Sequence, residues 1–338
     1  MSEIYYSNYS NLDLQIQMLS DNNRTNAYYE AIVKKNPNDF KNKVILDVGG
    51  GTGILSMFAA LAGAKKVYCI EITDMANKAR ELIKKNNFEN IIEVIEKPMD
   101  EVELNEKVDV IISEWMGVAL FHEGMFEIVA RARDKYLKPN GKMYPSKGNL
   151  YFGLYSEKNK WNRKMSDYVK NKNKYNLNLE SLYPEMIQEE NSYYNENNLV
   201  VKHGTFSRIS SNIISFKYDF KTLTENYLEN FRLPLKFKIK KNTSISSLCI
   251  WFDVLFPKKV ILDTSAKKKV NHWKQSFVYF REPIKVNKGD TFEGNINWEH
   301  YPNKYSYRLN LNLQYVNRLT QDKKLLENIV ETDTYQNL

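Results

Sequence analysis

Apolar residues recur along this chain in two periods, and the change from one to the other divides it. Between residues 10 and 35, Leu14, Met18, Ala27, Tyr28, Ala31 and Ile32 sit at near-helical spacings among polar Gln15, Gln17, Asp21 and Arg24, which predicts helix. Asn36-Pro37-Asn38-Asp39 ends that segment. Short β-branched runs at 43–48, 66–71, 91–95 and 108–112 read as buried strands. Helical patterns lie between them, one Ala-rich up to Gly63 and one from Thr73 or Asp74 through Ala76, Ala79, Leu82 and Ile83. Strand–helix alternation at this spacing predicts an α/β, Rossmann-like, doubly wound parallel sheet.

After Pro145 the character changes. Residues 154–200 are rich in Asn, Lys and Tyr, with helical stretches near 160–168 and 179–188. From about residue 205 the period becomes two, over 233–239, 247–256, 273–280, 291–298 and 307–315. That pattern predicts an antiparallel, β-barrel-like domain. Residues 317–338 are polar and charged and read as a loose terminus. The expected division is a helical lid over 1–35, an α/β domain over 36–145 and a barrel domain over 146–338.

A chain of 338 residues can hold two such cores. No apolar run approaches the roughly 18 residues of a membrane span, and no signal peptide is evident at the N-terminus. Cys69 and Cys249 are the only cysteines and lack metal-type spacing, so no metal centre is expected, and a reducing compartment, cytoplasmic or nuclear, fits best. The net charge of +8 is uneven: residues 1–150 carry 19 basic and 21 acidic residues, the remainder 30 and 20. The later lysines alternate with apolar residues, as in Leu235-Lys236-Phe237-Lys238-Ile239-Lys240. This is the solvent face of a strand, and direct nucleic-acid binding is not expected.

Candidate chemistry centres on the strand at 108–112. It delivers Glu114 to the edge of the sheet where ligand crevices form, and a short aromatic loop brings in Glu123. Two carboxylates in apolar company can act as acid and base, hold a metal, or grip a planar cation. The first strand runs into Asp47-Val48-Gly49-Gly50-Gly51-Thr52-Gly53. Glycines at 49, 51 and 53 allow close backbone approach to a ligand, but a dinucleotide fingerprint needs Gly-x-Gly-x-x-Gly. Asp47 would repel a pyrophosphate and suits a cationic amino-acid ligand. Glu71, about 20 residues on at the next strand end, suits ribose hydroxyls.

Together these residues resemble the S-adenosylmethionine site of class I methyltransferases. Ser113-Glu114-Trp115-Met116-Gly117 through Glu123-Gly124-Met125 resembles the double-Glu loop of the protein arginine methyltransferases. Tyr5-Tyr6-Ser7-Asn8-Tyr9, Met18-Leu19-Ser20-Asp21 and Arg24-Thr25 match that family's N-terminal signature, and Asn271-His272-Trp273 its Thr-His-Trp loop apart from the first residue. Arg131 to Gly141 also aligns. The resemblance covers residues 5–315 and is nearest to the type I branch, which makes asymmetric dimethylarginine.

The resemblance implies roles. Arg24 and Asp47 would engage the carboxylate and amine of the donor, Glu71 its ribose, Met99 and Asp100 its adenine, with Tyr6 and Met18 as cover and Gly49, Gly51, Gly53 and Glu114 beside it. Glu114 and Glu123 would clamp the guanidinium, while Asp21 and His272 pair across the domains and receive the departing proton. Tyr9, Met18, Met116, Met125 and Trp273 would contact the substrate, an arginine in Gly-Arg-rich proteins or histones. A helical arm over about 158–190 would dock on a second subunit to form a homodimer. Gln15, Ile16 and Gln17 replace the family's usual His and Glu. Rival readings are a small-molecule methyltransferase, an NAD enzyme with the wrong glycine spacing, and a non-catalytic regulatory or scaffold subunit.

Overall fold

The structure, a computed structural model, describes residues 10–157, 174–175, 178, 180–182, 185, 199–267, 271–300 and 307–331. Tyr6, Tyr9 and nearly all of the expected arm, including the helical stretch near 160–168 and most of that near 179–188, lie outside the described residues; Glu180–Leu182 is a single 3-10 turn.

The N-terminal helical pattern resolves into α1 (Leu12–Ser20) and α2 (Asn22–Tyr29), followed by a π-helical turn, Glu30–Lys35, and a short turn, Pro37–Phe40. The break falls at Asp21, whose backbone is extended and whose side chain accepts from Arg24 N, capping α2. A short acid that can bond the backbone locally ends one helix and starts the next.

Five strands, β1 (Val44–Val48), β2 (Lys66–Ile70), β3 (Ile92–Ile95), β4 (Val108–Ile112) and β5 (Leu137–Tyr144), form a parallel sheet in the order β3-β2-β1-β4-β5. Helices α3 (Ile54–Leu61), α4 (Met75–Lys85) and α5 (Met125–Tyr136) connect them. Every residue of β1 is buried, which explains its continuous apolar run. Strand order reverses between β1 and β4, so the crevice of this sheet opens beyond their carboxyl ends.

The remaining strands are β6 (Lys147–Tyr155), β7 (Val200–Lys202), β8 (Ile214–Asp219), β9 (Asn230–Lys238), β10 (Thr243–Phe256), β11 (Val260–Asp263), β12 (Gln275–Val286), β13 (Thr291–His300), β14 (Tyr307–Val316) and β15 (Lys323–Glu331). One antiparallel sheet runs β7-β12-β10-β6-β8 with β11 on β10, and a second runs β15-β14-β13-β9. A short helix, α6 (Glu225–Glu229), precedes β9. The strict alternation of burial along β9 is the period-2 pattern read from the sequence. The segment read as a loose terminus needs correction. Lys323–Glu331 is a strand paired along its length with β14. Its pattern is hidden because Leu325 and Ile329 point to solvent while Leu326 and Asn328 are half-buried.

The larger of two apolar cores runs from the parallel sheet into the antiparallel sheets, with Leu46, Ile111, Phe126, Phe152, Phe252 and Trp298 all buried in it. Each such side chain contributes about 1.5–3 kcal/mol on burial, so the two layers are held together by continuous packing. No helix among the described residues is long and apolar enough to cross a membrane.

Candidate active site

The crevice predicted by the strand order is a cleft of about 190 Å³. Its floor is the glycine loop after β1. Gly49, Gly51 and Gly53 all have positive φ, a backbone region open mainly to glycine. A Cβ at Gly49 would also meet the terminal methyl of Met125 at 2.3 Å, so that flexible side chain would have to move aside. The loop is tied to the end of β2, whose Ile70 carbonyl accepts from both Gly49 N and Gly50 N at 2.9 Å.

Glu71, at the end of β2, is oriented before any ligand arrives. Its Oε2 accepts from Gly51 N at 2.8 Å, and its Oε1 accepts from Thr73 N at 2.8 Å and Thr73 Oγ1 at 2.7 Å. Asp47 lies beneath the loop, fully buried and outside the cleft lining. Its Oδ2 accepts from Ser56 Oγ at 2.6 Å, while Oδ1 has no hydrogen-bond partner among the described residues. Burial pushes the Asp47 carboxyl up to about 7, against the Ser56 hydrogen bonds and with help from the Glu71 charge.

The opposite wall is the loop after β4. Glu114 Oε2 accepts from Arg24 Nε at 2.8 Å, and both side chains are less than a tenth exposed. Glu123 is buried with φ 87°, and Ala119 and Leu120 in the same loop also have positive φ. For non-glycine residues that conformation costs about 1–2 kcal/mol each, so the surroundings must impose it. Trp115 stacks with Phe121 and packs on Phe126 and Phe220. Gly117 and Leu120 exchange backbone hydrogen bonds at 3.1 Å. Tyr28 OH donates to Ser113 O at 2.8 Å, Ser113 Oγ to Val48 O at 2.7 Å, and Trp273 Nε1 to Met116 O at 2.6 Å. The loop is thus pinned by α2, by β1 and by the 271–274 turn.

The third wall comes from α1, α2 and the 271–274 turn. Asp21 Oδ2 accepts from His272 N at 2.9 Å and shares a 2.7 Å hydrogen bond with His272 Nδ1. His272 and Trp273 reach the cleft; Asp21 stands behind them. Met18, Met116 and Met125 also border it. At the far end lie Met99, buried, and Asp100, whose carboxylate is held by Arg131 through Nε at 2.9 Å and Nη2 at 3.0 Å.

The structure therefore gathers Met18, Arg24, Gly49, Gly51, Glu71, Met99, Asp100, Glu114, Met116, Glu123, Met125, His272 and Trp273 around one cleft. Asp21, Asp47 and Gly53 sit behind its surface. Gln15, Thr73 and Lys97 line it without having been singled out as site residues. Gln15, noted in the sequence only as a departure from the family's usual residue, is buried in α1 with its amide oxygen 3.2 Å from the Cβ position of Gly51. His122 lies in the double-Glu loop yet away from the cleft, and burial pushes its imidazole down to about 4.

A parallel α/β sheet with a glycine loop, a strand-end acid and a paired-carboxylate loop at its switch point, capped by a barrel, defines a methyltransferase-like class of protein. Residues 147–318 match the family described as arginine methyltransferase oligomerization subdomain. Residues 27–143 match the ribosomal protein L11 methyltransferase family. The chain is 35% identical over 309 residues to protein arginine N-methyltransferase 6 of Danio rerio, covering 90% of this chain and 86% of that protein. Among solved structures, it is similar to Arabidopsis thaliana protein arginine methyltransferase 10, with a TM-score of 0.84 and 30% identity over 97% of this chain and 99% of that one. It is also similar to a chain of the Trypanosoma brucei PRMT1 enzyme-prozyme heterotetrameric complex with AdoHcy, with a TM-score of 0.78 and 30% identity over 95% and 99% of the two chains. The chain belongs to the protein arginine methyltransferase family.

Proposed function

We propose that this protein transfers methyl groups from S-adenosylmethionine to protein arginine, giving monomethyl and asymmetric dimethylarginine. The observation that carries the reading is the placement of Glu114 and Glu123 on the same cleft as the glycine loop, Glu71 and His272.

The residues present fit the donor. Arg24 supplies a cation for a carboxylate, and Asp47 places a carboxyl group beneath the floor, one oxygen of it without a hydrogen-bond partner among the described residues, where a cationic amine is favoured. Glu71 presents a fixed carboxylate to ribose hydroxyls, and Met99 and Asp100 close the adenine end. Gly49, Gly51 and Gly53 leave backbone without side chains, and Met18, with Tyr6, covers the site. The AdoHcy of the Trypanosoma brucei complex supports this assignment. S-adenosylmethionine supplies an electrophilic methyl carried on a sulfonium.

The acceptor work falls to this chain's own side chains. A guanidinium is planar, has five donors and stays protonated. Glu114 and Glu123 each accept from a pair of its N–H groups and draw its charge away from one terminal nitrogen, leaving that nitrogen a usable lone pair. Met18, Met116, Met125 and Trp273, with Tyr9, shape the pocket around it. The remaining requirement is alignment with water excluded, and the lid (1–35) closing on the donor domain (36–145) and the barrel (146–338) meets it. His272, held by Asp21, receives the departing proton. The substrates are arginine-bearing proteins, Gly-Arg-rich segments and histones among them, and the arm at about 158–190 joins two copies as a homodimer.

A second reading, a non-catalytic regulatory subunit, is disfavoured by both glutamates and His272 standing in place. Labelled S-adenosylmethionine with a Gly-Arg-rich peptide decides between them. The wild type should label arginine. Glu123→Gln should keep donor affinity and lose at least about a hundredfold in turnover, the scale of one transition-state electrostatic contact. Unlabelled arginine with the wild type, or near-normal turnover in the variant, would overturn the clamp.

A further inference from the structure

The clamp residue Glu123 and the next residue, Gly124, are both left-handed, with φ 87° and 65°. They lead directly into α5, whose first turn contains Glu127; Gly124 caps that helix without a side-chain hydrogen bond. Glu127 is a buried carboxylate facing the barrel. Its Oε1 accepts from Tyr307 OH at 3.2 Å and lies 3.7 Å from His300 Nδ1. His300 and Tyr307 are direct cross-strand partners at the end of β13 and β14 where residues 301–306 join the two strands, their rings 5.1 Å apart. The other ring nitrogen of His300 lies over Gly124, 3.5 Å from where a Cβ would stand, with Glu127 Oε1 3.8 Å from the same point.

Both arms of the contact therefore converge on the turn that sets the Glu123 backbone. Its non-glycine left-handed conformation persists only while its neighbours enforce it. Other charges near Glu127 are Glu225 on α6 and Arg131 one turn further along α5, themselves paired at the protein surface. Burial raises the Glu127 carboxyl and His300 opposes that rise.

We propose that Glu127, His300 and Tyr307 are positioning residues for Glu123, by which the barrel fixes one jaw of the guanidinium clamp. The proposal rests on the assignment of Glu123 to that clamp. A buried carboxylate is costly without partners, so the pair holds only while both side chains stay in place. Loosening the turn misplaces Glu123 by a fraction of its length, and a displacement near 1 Å can cost about a hundredfold in rate.

The test uses Glu127→Gln, His300→Gln, Tyr307→Phe and the Glu127→Gln/His300→Gln double variant in the full chain. Each is assayed for kcat and KM with an arginine peptide, for S-adenosylhomocysteine affinity by calorimetry, and for melting temperature. Glu127→Gln and His300→Gln should each lower kcat about tenfold and leave donor affinity within about twofold. The double variant should be no worse than the poorer single one, because the two act as a unit. Unchanged kcat in His300→Gln and Tyr307→Phe would overturn the proposal, as would loss of donor affinity in step with melting temperature. If Glu127→Gln fails to fold, His300→Gln decides, since that ring is partly exposed. Normal turnover in Glu123→Gln would instead overturn the clamp itself.

Discussion

One carboxylate oxygen of Asp21 accepts both the backbone amide and the ring nitrogen of His272, at 2.9 and 2.7 Å, across 251 residues of sequence. The other oxygen caps α2 through Arg24 N at 3.1 Å. Asp21 thus orients the arginine that holds Glu114 and fixes the barrel turn that carries His272 and Trp273. Burial works to raise the Asp21 carboxyl, but the His272 and Arg24 hydrogen bonds outweigh it and the net shift is downward.

A carboxyl depressed in the folded state contributes stability that is present above its ordinary value of 3.8 and lost as pH falls through the lower folded value. Asp21→Asn removes the charge and keeps the shape. It should lower the melting temperature at neutral pH, with a loss of about 1.5–3 kcal/mol for a charge-assisted hydrogen bond. Melts across a pH series should show the wild-type advantage constant near neutrality and shrinking below 3.8. An advantage that does not change in acid would refute the coupling.

Asp47 has the opposite sign. Its carboxyl is raised from 3.8 to about 7 by burial, so its contribution to stability falls as pH rises through that window. Asp47→Asn should therefore raise the melting temperature of the donor-free protein above pH 7 while weakening donor binding at least about tenfold. Wild-type donor affinity should also decline as pH drops below about 7, and the variant's should not. Calorimetry at pH 6 and 8 checks both; a pH-independent wild-type affinity would contradict the site.

Trp273→Phe deletes the donor to the Met116 carbonyl, leaving a buried acceptor unpaired. The expected cost is about 1–3 kcal/mol in stability. Turnover should fall with donor affinity retained, since the contact fixes the acceptor loop. Parallel loss of donor affinity, measured by calorimetry, would place Trp273 elsewhere in the mechanism.

The parallel sheet is legible in the sequence because its strands are short β-branched runs buried on both faces, as β1 is throughout. Other elements are not. β6 lies inside its sheet, between β8 and β10, yet Gly148 and Gly153 interrupt its pattern. β15 exposes Leu325 and Ile329 and so reads as polar irregular chain. Glu114 and Glu71 are visible as strand-end acids, whereas the places of Arg24, Met99 and Asp100 rest on the family resemblance. The division of the first helix at Asp21 is a local cap on Arg24 N that apolar spacing does not reveal, and the left-handed backbone of Glu123 depends on contacts from residues far along the chain. His300 gives no sign of a role until folding sets it against Glu127 and Gly124.

The most direct measurement is the fragmentation mass spectrum of a Gly-Arg-rich peptide after incubation with the protein and S-adenosylmethionine. Met18 and Met125 border the cleft, and flexible thioethers can mould around a nitrogen that already bears a methyl, which favours a second transfer to the same nitrogen. Monomethylarginine should appear first, then a dimethyl product that loses dimethylamine. Met18→Phe, which puts a bulkier and stiffer side chain at the edge of the cleft, should shift the ratio with a smaller effect on donor affinity. Loss of monomethylamine alone from the dimethyl product would contradict the asymmetric assignment. Absence of any methyl on arginine, with S-adenosylmethionine bound, would contradict arginine methylation itself.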